Sequence, residues 1–412
     1  MKDTLTVKIS RSMAPGIIAG DAARADMNLQ PQPQKTRVNP LAGAFCAAVA
    51  AAGILFPAHT VSAQHFVSPP SLSREFNEPG NILIADQFNN RVIEASPDGK
   101  IIWSYGRGPN DFSDKSVIGV NDSQRVGPLT LIAATGTPPG AVPQDTNGAV
   151  DSRVILIDPW GNTLWQYGMF GQAGSGPDML NTPVQSTWLP NEHVLITDQG
   201  NNRIIEVNLC KEIVWSYPGS DTNASDQLNS PNSAELLEDG HILISDENNA
   251  RVLEVTRNDV IVKTFTASGT LGAVAFASRL KNGHTLMTDA GNSRAVEVDA
   301  NDVVVWQYFT DTDPNSIPAP SPSRAIRLRD GDTLISDQYN NRVIRVNHGG
   351  KIVRSYGLPL DGGPVAPFSF GNNFGYDLHT TQKGLYSPYD AKIVGDYTGL
   401  TPPFDFDHDA DD

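Results

Sequence analysis

Gly331 to Gly357 reads GDTLISDQYNNRVIRVNHGGKIVRSYG, and the rest of the chain is understood by counting outward from it. DTLISD alternates apolar and polar residues and is rich in strand formers. YNN is turn chemistry, RVIRVN is a second run, HGG is a tight turn, and KIVRSYG is a third run. Taking Asp337 as an origin, an Arg follows five residues later at Arg342 and an aromatic nineteen later at Tyr356.

The same spacing recurs at Asp86 and Arg91, Asp198 and Arg203, Asp246 and Arg251, and Asp289 and Arg294, with Tyr105, Tyr217, Phe265 and Tyr308 at plus nineteen. A sixth, degenerate copy holds Arg153 and Tyr167, with Gly148 where a simple count puts the Asp. Origins lie roughly 43 to 62 residues apart, a period that signals a β-propeller when each unit holds several short strands. Upstream, Pro183, Pro231 and Pro322 recur at minus fifteen, and Ser186, Ala234, Ala277 and Ala325 at minus twelve. Small residues at one fixed place suit an innermost strand crowded round an axis. The expected fold is therefore all-β: a six-bladed β-propeller of four-stranded antiparallel blades.

Three segments are expected. Residues 1–63 form a leader and signal peptide: Lys35 and Arg37 precede the apolar run Leu41 to Ala58, and Val61-Ser62-Ala63 offers a cleavage site before Gln64. Residues 64–357 hold the propeller, with Ser71 to Asn77 as the innermost strand of the first blade, and Ser116 to Val120 and Leu129 to Ala134 as strands of the second. Residues 358–412 are a C-terminal extension with an acidic tail. Within it LYSPYDAKIVGDYTG is read as one more strand, pairing with an edge at ring closure or beginning a seventh blade.

The formal net charge is −16, and the leader carries more Lys and Arg than Asp and Glu, so its removal leaves a still more acidic protein. Such a surface repels nucleic-acid backbones and anionic lipid. The expected localisation is periplasmic or secreted, with no nucleic-acid partner and no stable membrane insertion once the signal is cleaved.

GHTLMTDAGNSRAVEVD (283–299) and GNILIADQFNNRVIEASPDGKIIWSYG (80–106) closely resemble the repeats of the NHL-repeat family of six-bladed propellers. They also resemble arylsulfotransferase-like and PQQ-like propeller repeats. The resemblance covers about Ser71 to Gly357 and implies architecture more than activity, because such folds serve scaffolds, lyases and other enzymes alike.

A pair repeated in blade after blade is read as structural: the Asp accepts backbone hydrogen bonds from the turn, and the Arg ties that turn to a carboxylate or to carbonyls of a neighbouring blade. Trp103, Trp165, Trp215 and Trp306, two residues before the terminal aromatic, are read as packing between blades, with sugar stacking as the functional alternative. His193, His241 and His284 invite a three-His metal site. Strand parity puts them instead in separate first turns, on the face opposite the long connections.

Those long connections, together with the insertion Thr135 to Ser152, mark the face where binding is expected. There Gln185, Ser233, Phe276 and Arg324 are expected near the channel mouth, with Arg74 joining them. No catalytic set is recognisable among these residues, so a binding protein for a peptide, glycan or protein partner is favoured over a periplasmic lyase, hydrolase or arylsulfotransferase-like enzyme with a central metal or His. No cofactor is expected. Calcium is a metal that the rim carboxylates Asp178, Asp221, Asp226, Asp311 and Asp313 could hold.

Overall fold

The computed structural model describes residues 72–141, 145–219, 223, 226–314, 316–357, 384–397 and 399–400. The leader, Asp221 and the acidic tail lie outside them. The described strands form six four-stranded antiparallel sheets, one per blade. Almost no helix is present beyond single 3-10 turns, and no helix among the described residues is long and apolar enough to cross a membrane.

Each turn between the second and third strands follows from its sequence. In the sheet the origin Asp stands opposite its Arg, as in Asp337 and Arg342. The three residues after the Asp make one 3-10 turn, and the fourth takes a left-handed conformation: Asn90, Asn202, Ala250, Ser293 and Asn341 have φ between 49° and 56°. Asn tolerates that region better than most residues, which explains the NN of the motif.

Two strand expectations are corrected. Of the stretch expected from Ser71 to Asn77, the described residues 72–77 hold no strand; the innermost strand of blade 1 is Pro388–Ile393, paired antiparallel with Ile82–Asp86. The ring is thus closed by three N-terminal strands and one C-terminal strand in a single sheet. In blade 2 the innermost strand is Val120–Val126 and not Ser116 to Val120. Much of the presumed insertion is sheet, because Leu129–Thr137 pairs with Ala149–Ile157 as an extended hairpin with a bulge after Ala134. Its register sets Ala134 opposite Arg153, so Ala134, and neither Gly148 nor Thr135, holds the origin position.

The core lies between blades rather than within them. Leu131, Val154 and Tyr167 of blade 2 pack on Val194, Ile196 and Ile205 of blade 3. Equivalent clusters join the other neighbours, including Ile82 and Ile93 with Leu334 and Val343 across the closure. Each buried Val, Leu or Ile contributes about 1.5–3 kcal/mol, so a blade is stabilised chiefly by its neighbours.

Indole hydrogen bonds stitch the rim as well. Trp103, Trp165, Trp215 and Trp306 donate to Pro159, Leu209, Arg257 and His348 carbonyls in the next blade, at 2.8 to 3.1 Å.

Candidate functional site: the axis and its long-loop end

An innermost strand leaves one row of N–H groups facing the axis with no strand to receive them, and buried donors need acceptors. Register defines one axial residue per blade: Asp390, Asp122, Gln185, Ser233, Phe276 and Arg324 for blades 1 to 6. Four of them accept from the next blade's strand. Asp390 takes Ser123 N–H at 3.4 Å, Asp122 takes Ser186 at 3.1 Å, Gln185 takes Ala234 at 2.7 Å and Ser233 takes Ala277 at 3.2 Å.

Phe276 and Arg324 break this ring, since neither side chain can accept a hydrogen bond. The Arg324 guanidinium lies 4.7 Å from the Phe276 ring and 5.9 Å from that of Tyr389. It is 1% exposed, donates Nη1 to the Ala275 carbonyl at 3.3 Å, and sits 3.7 Å from Asp390. Its Nε and Nη2 make no hydrogen bond among the described residues. These two groups share one edge of the guanidinium, the fork that takes a carboxylate in bidentate fashion.

Just above, towards the long connections, the axis is crossed by a hydrogen bond between opposite blades. Asn232 Nδ2 lies 2.7 Å from the Tyr389 hydroxyl and also donates to Glu247 at 2.8 Å. Gln199 reaches the same carboxylate oxygen at 3.3 Å. Burial raises the Glu247 pKa despite the Asn232 hydrogen bond and the Arg324 charge. Burial, with Glu247 adding to it, raises the hydroxyls of Tyr339 and Tyr389 too, so both phenols stay protonated. On the other side of the mouth Gln87, Gln338, Ser387 and Asn121 form a neutral network at 2.9 to 3.0 Å. Gln87, Gln199, Glu247 and Gln338 all follow an origin Asp directly, a plus-one position that sequence reading passed over.

Towards the short-turn face, Lys392 links the innermost strands of the neighbouring blades 1 and 2. Its Nζ lies 2.8 Å from Asp122, 2.5 Å from Asp390 and 2.9 Å from the Ser123 carbonyl. Burial pushes the Asp390 carboxyl up to about 6, against the pull of Lys392. Beyond this, Tyr397 and Leu400 pack on Phe276 and Ile326, filling that end.

Gln185, Ser233, Phe276 and Arg324 therefore share one axial level, and all four are buried. Arg74 is exposed in a turn outside any strand, and the blade-1 position belongs to Asp390. The repeat's spacing does not locate Asp122 and Asp390 as members of this ring, because neither of their strands carries it.

In five copies the Arg Nε donates to the origin Asp at 2.7 to 2.8 Å: Arg91 to Asp86, Arg203 to Asp198, Arg251 to Asp246, Arg294 to Asp289 and Arg342 to Asp337. The other oxygen of Asp86, Asp198, Asp246 and Asp289 accepts a backbone N–H from the segment leading into its own blade. Arg203, Arg251 and Arg294 also donate to carbonyls of those connections. The tie is thus to the chain leading into the blade. In blade 2, Arg153 pairs at 2.5 Å with Asp151, a residue on its own strand that fixed spacing could not reveal.

His193, His241 and His284 lie apart, each with Nδ1 2.7 to 3.0 Å from a Glu of its own blade: Glu206, Glu254 and Glu297. Each Glu also binds an Arg of the next blade, Arg257, Arg279 and Arg327 respectively. Asp239, His241 and Glu254 bring three possible metal-ligating atoms within 4.8 Å, but Glu254 is already held by Arg279. Among the rim carboxylates, Asp178 pairs with Lys211 and Asp313 with Arg342.

No protein-family model matches the chain, and no curated protein matches it. Solved structures similar to it include a protein of unknown function from Bacteroides caccae, at 15% identity and a TM-score of 0.49, covering 70% of this chain and 97% of that one. Virginiamycin B lyase from Staphylococcus aureus is similar at 15% identity and a TM-score of 0.45, over 69% and 82% of the two chains. A streptogramin B lyase is similar at 14% identity and a TM-score of 0.42, over 60% and 71%. The six-blade assignment itself comes from the sheet order.

Proposed function

We propose that this chain is an exported, NHL-like binding propeller that recognises a peptide, glycan or protein partner on its long-loop face. The observation that carries the reading is the break in the axial ring at Phe276 and Arg324. Everywhere else a polar side chain at that level is occupied by a neighbouring strand. There a buried guanidinium keeps two donors without a hydrogen bond among the described residues, its Nε facing Asp390 only at 3.7 Å, beside Tyr389 and within reach of the Glu247 charge. Binding sites gather a few polar groups among aromatic ones in this manner. The enzyme alternative, with a central metal or His, has less support, because the three repeated His side chains are committed to Glu partners in separate blades.

Peptide and glycan arrays probed with the full chain test this. The expected result is binding to members of one ligand class, weakened about tenfold or more by Glu247→Gln and by Tyr339→Ala at unchanged melting temperature. Absence of array binding, or binding indifferent to both substitutions, would sink the reading.

A further inference from the structure

Away from the axis, a cavity of about 260 Å³ opens on the outer edge between blades 1 and 2. Phe76, Trp103, Tyr105 and Trp160 line it, along with Ser73, Ser104 and Gly161. The turn between third and fourth strands has one backbone pattern throughout: Asp158 N–H bonds the Asn162 carbonyl, as Ser96 bonds Lys100 and Thr256 bonds Val260. Superposing those turns by this bond puts Trp160 where the other blades carry Asp98, Cys210, Asn258, Asn301 and Gly349. One blade has thus replaced a polar or small turn residue with an indole, and that indole is 52% exposed.

The opposite wall is fixed. Trp103 donates its Nε1 to Pro159 at 2.8 Å and meets Phe76 edge-on at 5.9 Å. The buried Arg125 guanidinium lies 4.4 Å from both rings and is paired with Glu94. Gly161, at φ 86°, lets the Tyr105 ring lie close, since a Cβ there would come within 3.2 Å of it. The structural role of the repeated Trp is already discharged by Trp103, so nothing in the blade contacts requires Trp160.

We infer that this cavity is a saccharide-binding site, in which a neutral sugar ring stacks on the Trp160 indole against the Trp103, Tyr105 and Phe76 wall. Three observations select that ligand. None of the lining residues is charged, on a protein of net charge −16, which disfavours an ionic ligand. Four of the ten lining residues are aromatic, with Ser73 beside them, which suits the apolar face of a sugar ring and its hydroxyl edge. The volume is below the roughly 300–1,000 Å³ of pockets for larger ligands, which suits one ring of an oligosaccharide. This site is independent of the long-loop reading above.

The test is titration of the full chain with methyl β-glucoside, methyl α-mannoside, N-acetylglucosamine and cellobiose, followed by indole fluorescence and saturation-transfer NMR. The expected result is saturable binding of at least one saccharide, weakened about tenfold by Trp160→Asn. That substitution places at the turn the residue already present at Asn258 and Asn301, so the melting temperature should hold. A gain from monosaccharide to cellobiose identifies an oligosaccharide chain as the source, and equal affinity identifies a free sugar. No saccharide binding, or binding unchanged in Trp160→Asn, overturns the inference. Uptake of phenylacetamide without any sugar also overturns it, in favour of a merely apolar groove.

Discussion

The short-turn face and the axis of this ring are built from the same strands yet use their repeats differently. On the short-turn face one arrangement recurs: a first-turn donor, a Glu on the third strand and an Arg from the next blade. It holds for His193, His241 and His284, and in blade 1 Asn81 takes the donor's place at 2.6 Å from Glu94, which pairs with Arg125. Blade 6 inverts the polarity, with Arg345 in the Glu position donating to Asp332 at 2.7 Å. In blades 1, 3, 4 and 5 the donor's chemistry varies while the Glu keeps an Arg of the next blade, so what is maintained there is attachment between blades; the blade-6 pair stays within its own blade. At the axis the residues diverge in kind, and the two that abandon the shared capping role are adjacent. Repetition marks what holds the ring together, and departure from it marks where a ligand has reason to go.

The largest expected effect tests whether the closing strand belongs to the ring at all. Ending the chain after Gly357 removes Pro388–Ile393, opening blade 1 along Ile82–Asp86 and taking from Asp122 its Lys392 partner. An open innermost edge with a stranded buried carboxylate should abolish cooperative unfolding, read as loss of the near-ultraviolet dichroism signal and of a single melting transition. A truncated chain that melts like the full one would show that the closure is dispensable.

Next comes a contrast within the repeated pair. Arg342 is 1% exposed and binds both Asp337 and Asp313, whereas Arg203 is 19% exposed. Asp337 keeps one oxygen without a hydrogen-bond partner among the described residues, and burial pushes its carboxyl up to about 6. Removing its cation leaves a buried charge, so Arg342→Ala should cost about 3–5 kcal/mol by denaturant unfolding. Arg203→Ala should cost roughly 1–2 kcal/mol: Asp198 is buried too, but the partly exposed Arg203 side chain leaves a space that water can enter once it is removed. Equal losses would mean that burial does not set the worth of this pair.

How much of this was legible in the sequence follows from which positions obey the count. Strand periodicity, turn chemistry and the Asp-to-Arg spacing are local, and they locate blades 3 to 6 and the parity of the His turns. The closing strand, PYDAKI, pairs with residues some 300 positions earlier and lacks the repeat's spacing, so the sequence marks it only as one more strand and offers Ser71 to Asn77 in its place in blade 1. The axial ring could be read in blades 3 to 6 from the small residue that follows it, as Gln185 precedes Ser186. Asp122 and Asp390 precede Ser123 and Ala391 in the same way, which is the signal that would have found them. The burial of Arg324 had no local signature. It depends on Phe276 and Tyr389 arriving from two other blades.

The smallest expected effect belongs to His193, His241 and His284 replaced together by Asn. Each ring is about 28–30% exposed and makes one hydrogen bond to a Glu whose other oxygen is held by Arg. Although burial pushes Glu206 and Glu254 up, hydrogen bonds from His193 and His241 and the Arg257 and Arg279 charges leave both carboxyls lowered. Such groups stabilise the fold above the unfolded carboxylate pKa and lose that contribution as pH falls through the folded value. An amide donor at Asn81 already serves Glu94, so the triple substitution should move stability by less than about 1 kcal/mol per site at neutral pH. It should also leave the acid limb of the stability profile in place, because the Arg partners remain. Thermal unfolding between acidic and neutral pH, with metal analysis of both proteins, checks it. Release of a bound metal or a collapse in stability would make this face a site rather than a set of clamps, and the contrast with the axis would fail.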